Sequence, residues 1–278
     1  MARTRSADGT LIAYDVYGAG PRLVLVDGAL CSRRMGPSKG LVRALAGRFT
    51  VLSYDRRGRG ESGDGGDYAV ERELEDLLAV IAAGEGPTFL FGQSSGAILA
   101  LHAAARSGDV SRLVVYEAPF IVDGTRPPTP EDYYETLERL LAEKRRGAAV
   151  RLFLRLVGMP GPAIVALGLT PMWPRLKAVA PTLSYDSLIT APYQRGAPLA
   201  PEAWSTATQP ALVLAGGKSG AWMRNGMQAL ARTLPHATYA VLDGQTHNLK
   251  PRVVTPELLR FFAPPATTAG SERTSGAS

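Results

Sequence analysis

The chain has 278 residues, 45% apolar and 20% charged, and its 31 basic and 25 acidic side chains leave a formal charge of +6. That length fits one large α/β domain with room for an insertion, and the composition excludes disordered, collagenous and low-complexity classes. The basic residues are scattered; only Arg56-Arg57-Gly58-Arg59 and Lys144-Arg145-Arg146 cluster, and both read as solvated surface or the rim of a site, so no nucleic-acid partner is expected.

Residues 3–6 and 10–17 flank Asp8-Gly9 and predict a β-hairpin. Leu23-Val24-Leu25-Val26 is a short buried strand that ends at Asp27-Gly28-Ala29-Leu30, and a helix follows over about 37–47. Phe49 to Tyr54 is the next strand; it runs into the polar, Gly-rich turn Asp55-Arg56-Arg57-Gly58-Arg59-Gly60-Glu61-Ser62-Gly63. Residues 69–84 have helical spacing, with Leu74, Leu77, Leu78 and Ile81 on one side. Then comes Phe89-Leu90-Phe91-Gly92-Gln93-Ser94-Ser95-Gly96, leading into the Ala-rich run 97–105. An apolar run that stops in small residues before a helical pattern predicts a strand, a very tight turn and a buried helix. Ser94 would sit there in a strained backbone position, with Gly92 and Gly96 giving room. The simpler alternative is a Gly-rich turn whose serine caps the helix. Leu113 to Glu117 is a further strand.

Residues 122–208 change character. Tyr133 to Arg146 and Ala148 to Val157 are helical patches, and prolines at 160, 162, 171, 174, 181, 192, 198 and 201 cut the rest into short pieces. Strand–helix alternation resumes with Ala211 to Ala215, a helix over about 221–233, the strand Thr238 to Leu242, a loop carrying His247, and a helix from Pro256 to Phe262. The expected division is a core of residues 1–121 and 209–263, a helical cap inserted at 122–208, and a disordered Pro/Thr/Ser/Gly-rich tail at 264–278. Repeated buried strands with intervening helices imply a mostly parallel sheet covered on both faces. Ligands of such sheets bind beyond the C-terminal strand ends. Ser94, Glu117 and His247 all fall at or just after predicted strand ends, which makes them candidates for one site.

These segments, in this order, resemble the α/β-hydrolase fold family over about residues 8–263. The resemblance rests on the Gly92-Gln93-Ser94-Ser95-Gly96 elbow, the Asp55-to-Ser62 turn after the second parallel strand, and Asp243-Gly244-Gln245-Thr246-His247 after the last one. It implies a nucleophilic Ser94, a general-base His247, and an oxyanion hole from the backbone N–H groups of Ala29 and Ser95. Two departures stand out. The first oxyanion loop reads Asp27-Gly28 where the family usually has His-Gly. The position after strand 211–215 where the family usually has its acid holds Ser219, which lacks the charge to stabilise an imidazolium. Some members, haloalkane dehalogenases among them, carry the acid one strand earlier, and Val115-Tyr116-Glu117-Ala118 is similar to their segment. Glu117 is therefore the expected third member of the triad; a structural glutamate is the alternative, and Asp123 is the reserve acid. Dehalogenation itself is disfavoured, because it requires a carboxylate where this chain has Ser94.

The resemblance implies a serine hydrolase acting on a small to medium, partly apolar carboxylic ester, lactone or thioester. The rivals are a cyclase, lyase or perhydrolase on the same scaffold, and a catalytically silent binding protein. Leu30, Gln93, Tyr133, Phe153, Met172, Trp173 and Tyr185 are the expected pocket residues, though the cap aromatics suit an internal core equally well. His102 reads as packed or capped and His236 as exposed. No cofactor or metal is expected: the histidines are scattered and Cys31 is alone, which also excludes an internal disulfide. No charged start leads into an apolar stretch, and no apolar run is long enough to span a membrane. The expectation is a cytoplasmic monomer or homodimer with a small-molecule substrate and no membrane partner.

Overall fold

The structure, a computed structural model, describes residues 1–263; the tail expected at 264–278 lies outside the described residues. β1 (Ala2–Arg5) and β2 (Leu11–Tyr17) form the antiparallel hairpin, with Ala2 opposite Tyr14. Strand and helix then alternate: β3 (Arg22–Val26), α1 (Ser38–Leu45), β4 (Thr50–Tyr54), α2 (Val70–Ala82), β5 (Thr88–Gln93), α3 (Ser95–Arg106) and β6 (Val110–Tyr116). Five helices follow: α4 (Tyr133–Ala142), α5 (Arg146–Leu156), α6 (Gly161–Gly168), α7 (Met172–Val179) and α8 (Leu183–Thr190). The chain then returns as β7 (Ala211–Gly216), α9 (Ala221–Thr233), β8 (Ala237–Leu242) and α10 (Pro251–Phe262).

The strands form one sheet in the order β1-β2-β4-β3-β5-β6-β7-β8. β2 pairs antiparallel with β4, and every pair from β4 to β8 is parallel. Side-chain alternation explains why most positions of the parallel strands are apolar. Val24 and Val26 face a core built with Leu74, Leu77, Val80 and Ile81 of α2, Ala100 and Ala103 of α3, and Met227 and Leu230 of α9. Leu23 and Leu25 face the opposite core, with Leu41 and Leu45 of α1 and Val254, Leu258 and Phe262 of α10. Both faces of the sheet are thus covered, and stretches such as Leu23–Val26 and Leu113–Tyr116 are apolar on both sides of the strand.

Two helix boundaries needed revision. The helix predicted over Tyr133 to Arg146 ends at Ala142 and Arg146 opens the next one, because Lys144 adopts a left-handed φ of 58° between α4 and α5. Prolines of the 160–181 stretch do cut it into short pieces, α6, α7 and α8 being eight residues each; Pro162 falls in the first turn of α6, where a missing N–H costs nothing. The last helix begins at Pro251 for the same reason, earlier than Pro256, which lies inside it. α4, α5 and α7 share a core of their own, in which Leu137, Leu140, Val150, Leu154, Trp173 and Leu176 meet. No described helix is long and apolar enough to cross a membrane.

Candidate active site

Because β3, β5, β6, β7 and β8 run parallel, their C-terminal ends share one edge, and the loops leaving them carry every residue of the candidate site. β5 ends at Gln93, opposite Tyr116 of β6, so Ser94 and Glu117 leave neighbouring strands at the same level. Ser94 has φ 58° and ψ −130°, a conformation strained for a side-chain-bearing residue. It persists because its surroundings fix it. The Ser94 N–H donates to Tyr116 O at 3.0 Å, and Ser94 O accepts from the Ala97 N–H at 3.0 Å. Gly96 lies so close to the β3 loop that a Cβ there would come within 2.6 Å of Asp27 O; at Gly92 one would meet Gly96 O at 2.6 Å. Only glycine lets β5, α3 and the loop after β3 pack this tightly. Left-handed φ at non-glycine residues recurs at this edge: of the four described cases, Leu30 (59°), Ser94 (58°) and Glu117 (49°) lie here, and Lys144 lies in the cap.

Glu117 is fully buried, and both of its oxygens are used. Oε1 accepts from the Gly216 N–H at 2.7 Å. Oε2 lies 2.9 Å from His247 Nδ1. An ionised carboxylate only accepts, so this contact places the ring proton on Nδ1 and leaves Nε2 as the free base. The His247 side chain is 44% exposed. Its loop is held from below: Gln93 Nε2 donates to His247 O at 2.8 Å, Tyr116 OH donates to Thr246 O at 2.6 Å, and the Lys250 N–H donates to Gln245 Oε1 at 3.1 Å. Asp123, the reserve acid, is engaged elsewhere, by Thr125 and by Asn225 Nδ2 at 2.6 Å. Ser219 makes no hydrogen bond to the imidazole; its Oγ is buried without a hydrogen-bond partner among the described residues.

The other expected residues divide. Ala29 stands in the loop that leaves β3, and Ser95 is the first residue of α3, next to Ser94. Leu30 is buried in the cluster that α4, α5 and α7 share, as are Tyr133 and Trp173, and Phe153 packs against the same cluster. Met172 is exposed. Tyr185 stacks on Tyr68 at a ring separation of 3.8 Å and donates to Asp64 Oδ1 at 2.9 Å. Among the remaining histidines, His102 Nε2 meets Tyr193 OH at 3.0 Å, and burial lowers its pKa; His236 is exposed. No group of metal-ligating side chains occurs among the described residues.

The arginines read as surface or the rim of a site are the largest correction. Arg56, Arg57 and Arg59 are at most 2% exposed, because each is paired with acids that sequence distance conceals. Arg56 makes a two-pronged pair with Glu73 at 2.6 and 2.7 Å, and Arg57 a similar pair with Asp76 at 2.7 Å. Asp186, on helix α8, lies 2.8 Å from Arg56 Nη1 and 2.7 Å from Arg59 Nη2. Burial would raise the Asp186 pKa, but the charges of Arg59 and Arg56 outweigh it and hold it below the ordinary carboxylate value. Asp27 is different: burial raises its pKa to about 6, and hydrogen bonds from Ser38, with the charges of the same two arginines, offset this only in part. Asp186 escaped the sequence reading, although it is the sole acid between Glu143 and Glu202.

Known proteins share this arrangement of elements. A crystal structure of an alpha/beta hydrolase from Sphaerobacter thermophilus DSM 20745 superposes with a TM-score of 0.86 at 45% identity, covering 94% of this chain and all of that one. The pimeloyl-[acyl-carrier protein] methyl ester esterase of Xanthomonas axonopodis pv. citri (strain 306) is 33% identical over 258 residues, which cover 84% of this chain and 90% of that protein. The uncharacterized hydrolase YraK of Bacillus subtilis (strain 168) is 29% identical over 162 residues, 55% of this chain and 57% of that protein. The sequence profile of the Alpha/beta hydrolase family matches residues 23–257, with the elbow, the Glu117 strand and the His247 loop all inside it, and the chain belongs to that family.

Proposed function

We propose that the protein is a serine hydrolase that cleaves a small to medium, partly apolar carboxylic ester, lactone or thioester through an acyl-enzyme on Ser94. The observation that carries this reading is the His247 Nδ1–Glu117 Oε2 contact of 2.9 Å at the sheet edge that also carries a serine on a strained elbow. Ser94 Oγ attacks the carbonyl carbon while His247 Nε2 takes its proton. The negative charge that develops on the carbonyl oxygen accepts from the backbone N–H groups of Ala29 and Ser95. Such a donor is worth about 3 kcal/mol of transition-state stabilisation in comparable sites. His247 then protonates the departing alcohol or thiol oxygen or sulfur. Water, deprotonated by the same nitrogen, attacks the acyl-Ser94 carbonyl, and the acid leaves. Glu117 holds the imidazole tautomer and offsets its positive charge.

The Xanthomonas relative, named for methyl ester hydrolysis, supports the carboxylic-ester class. The proposed lid is the 122–208 cap, whose apolar core extends to Leu30 beside the oxyanion loop. A panel of short- and long-chain acyl esters, lactones and thioesters, read by released acid, tests the proposal. Turnover of at least one class, abolished in Ser94→Ala, is the expected result. A wild-type protein that hydrolyses none of them contradicts it.

A further inference from the structure

The mechanism leaves unused a buried cluster that joins the cap to both sides of the proposed oxyanion hole. Arg59 Nη1 donates to Gly28 O at 2.6 Å. That oxygen belongs to the peptide unit whose N–H is on Ala29. A trans peptide is planar, with its C=O and N–H pointing in opposite directions. Gripping Gly28 O therefore sets the direction in which the Ala29 N–H points. Arg56 Nη1 does related work one residue earlier, 3.3 Å from Asp27 O, and also reaches Ser95 Oγ at 3.1 Å. Ser95 carries the second donor, and its hydroxyl donates to Asp186 Oδ1 at 2.6 Å. One carboxylate from α8 thus holds three things: Ser95 through its hydroxyl, and both arginines through their guanidinium groups. Ser95, Arg56, Arg59 and Asp186 are all nine-tenths or more buried, and Glu73 anchors the far side of Arg56. The hydrogen bonds are of charged groups away from water, which gives them direction and strength.

We infer that Asp186 is a positioning residue for catalysis: through Arg59 it aims the Ala29 N–H, and through Ser95 Oγ it fixes the turn that presents the Ser95 N–H. The oxyanion hole is then complete only when α8 of the cap is seated on the core. This inference rests on the proposed Ser94 hydrolase chemistry. Asp186 touches no reacting atom, so its loss affects the transition state and not ground-state binding.

The test is Asp186→Asn, with kcat expressed per Ser94 titrated by a fluorophosphonate, so that unfolded protein does not count. One of its two oxygens becomes an amide nitrogen, which cannot accept from Arg59 or Ser95. The expected result is a fall in kcat of roughly tenfold or more, part of the 10²–10³ that removal of a whole donor costs. KM stays within about twofold, and affinity for a trifluoromethyl ketone, whose adduct carries an oxyanion, falls in parallel with kcat. A role in stability alone moves the melting temperature but none of these per-site values. Ser95→Ala, which trims a single hydroxyl and keeps the N–H, is expected to lower kcat about threefold to fivefold in the same pattern. It decides the matter if Asp186→Asn does not fold. Folded variants with wild-type kcat per titrated serine overturn the positioning role while leaving the hydrolase reading intact. Wild-type protein that takes up no fluorophosphonate at Ser94 overturns both.

Discussion

At the scale of single residues, Glu117 carries the heaviest demand. It has a left-handed φ of 49°, no exposed surface, and two donors on its two oxygens. Glu117→Gln keeps the shape but presents an amide that cannot both accept from Gly216 and hold the His247 proton on Nδ1. The expected outcome is a loss of more than about a hundredfold in kcat with retained fold, measured by ester turnover beside a circular-dichroism spectrum. An unchanged rate contradicts the assignment. Asp27 makes a different prediction. Its pKa is about 6 in the folded protein against 3.8 for the free group. The native state therefore holds the proton over a window where the unfolded chain has released it, and stability from this residue is present below about pH 4 and lost as pH rises through about 6. Asp27→Asn removes that dependence. Its stability relative to wild type should rise by on the order of 2–3 kcal/mol between pH 4 and pH 7.5, read from urea unfolding at each pH. Glu117 was legible in the sequence because a carboxylate ending an apolar strand demands a partner. Asp186 was not, because its partners Arg56, Arg59 and Ser95 lie about a hundred residues away and no local pattern links them.

At the scale of elements, the elbow depends on three segments lying in near contact. A methyl group on Gly96 would press on the backbone carbonyls of Val26 and Asp27, which belong to the end of a central strand and cannot move aside. Gly96→Ala is expected to cost about 3 kcal/mol or more, visible as a lower urea midpoint with an unchanged slope. Gly47→Ala, where a Cβ meets nothing within 4 Å, should leave the midpoint nearly unchanged. The strands and the elbow could be read from the chain because burial on both faces writes an uninterrupted apolar run. Cap helices α6 and α7 were harder to read. Proline marks both a helix start and a helix break, and Pro162 does the former. The Arg56–Arg59 turn misled in the opposite direction: charge suggested water, yet each guanidinium is neutralised by an acid from a distant element. A buried arginine next to its acid cannot be told from a surface one by composition.

At the scale of the whole molecule, two buried junctions stand out among those that tie the chain between β6 and β7 to the core. One is the charged cluster at Asp186. The other is aromatic: Trp204, 1% exposed, stacks on Phe120 at 5.5 Å and lies 5.5 Å from Tyr193 and 6.2 Å from His102 of α3. Trp204→Ala empties that junction and is expected to cost about 3–5 kcal/mol, measured by chemical unfolding. Parallel strands bring Ser94, Glu117 and His247 to one edge, and the 2.9 Å contact between the last two leaves an imidazole nitrogen free to act as a base. The most direct test of that account is the intact mass of the protein quenched during turnover of an activated ester. The account predicts a mass increase of one acyl group, located on Ser94 by peptide fragmentation, transient in wild type and absent in Ser94→Ala. An acyl group on another residue, or turnover that survives in Ser94→Ala, would contradict it.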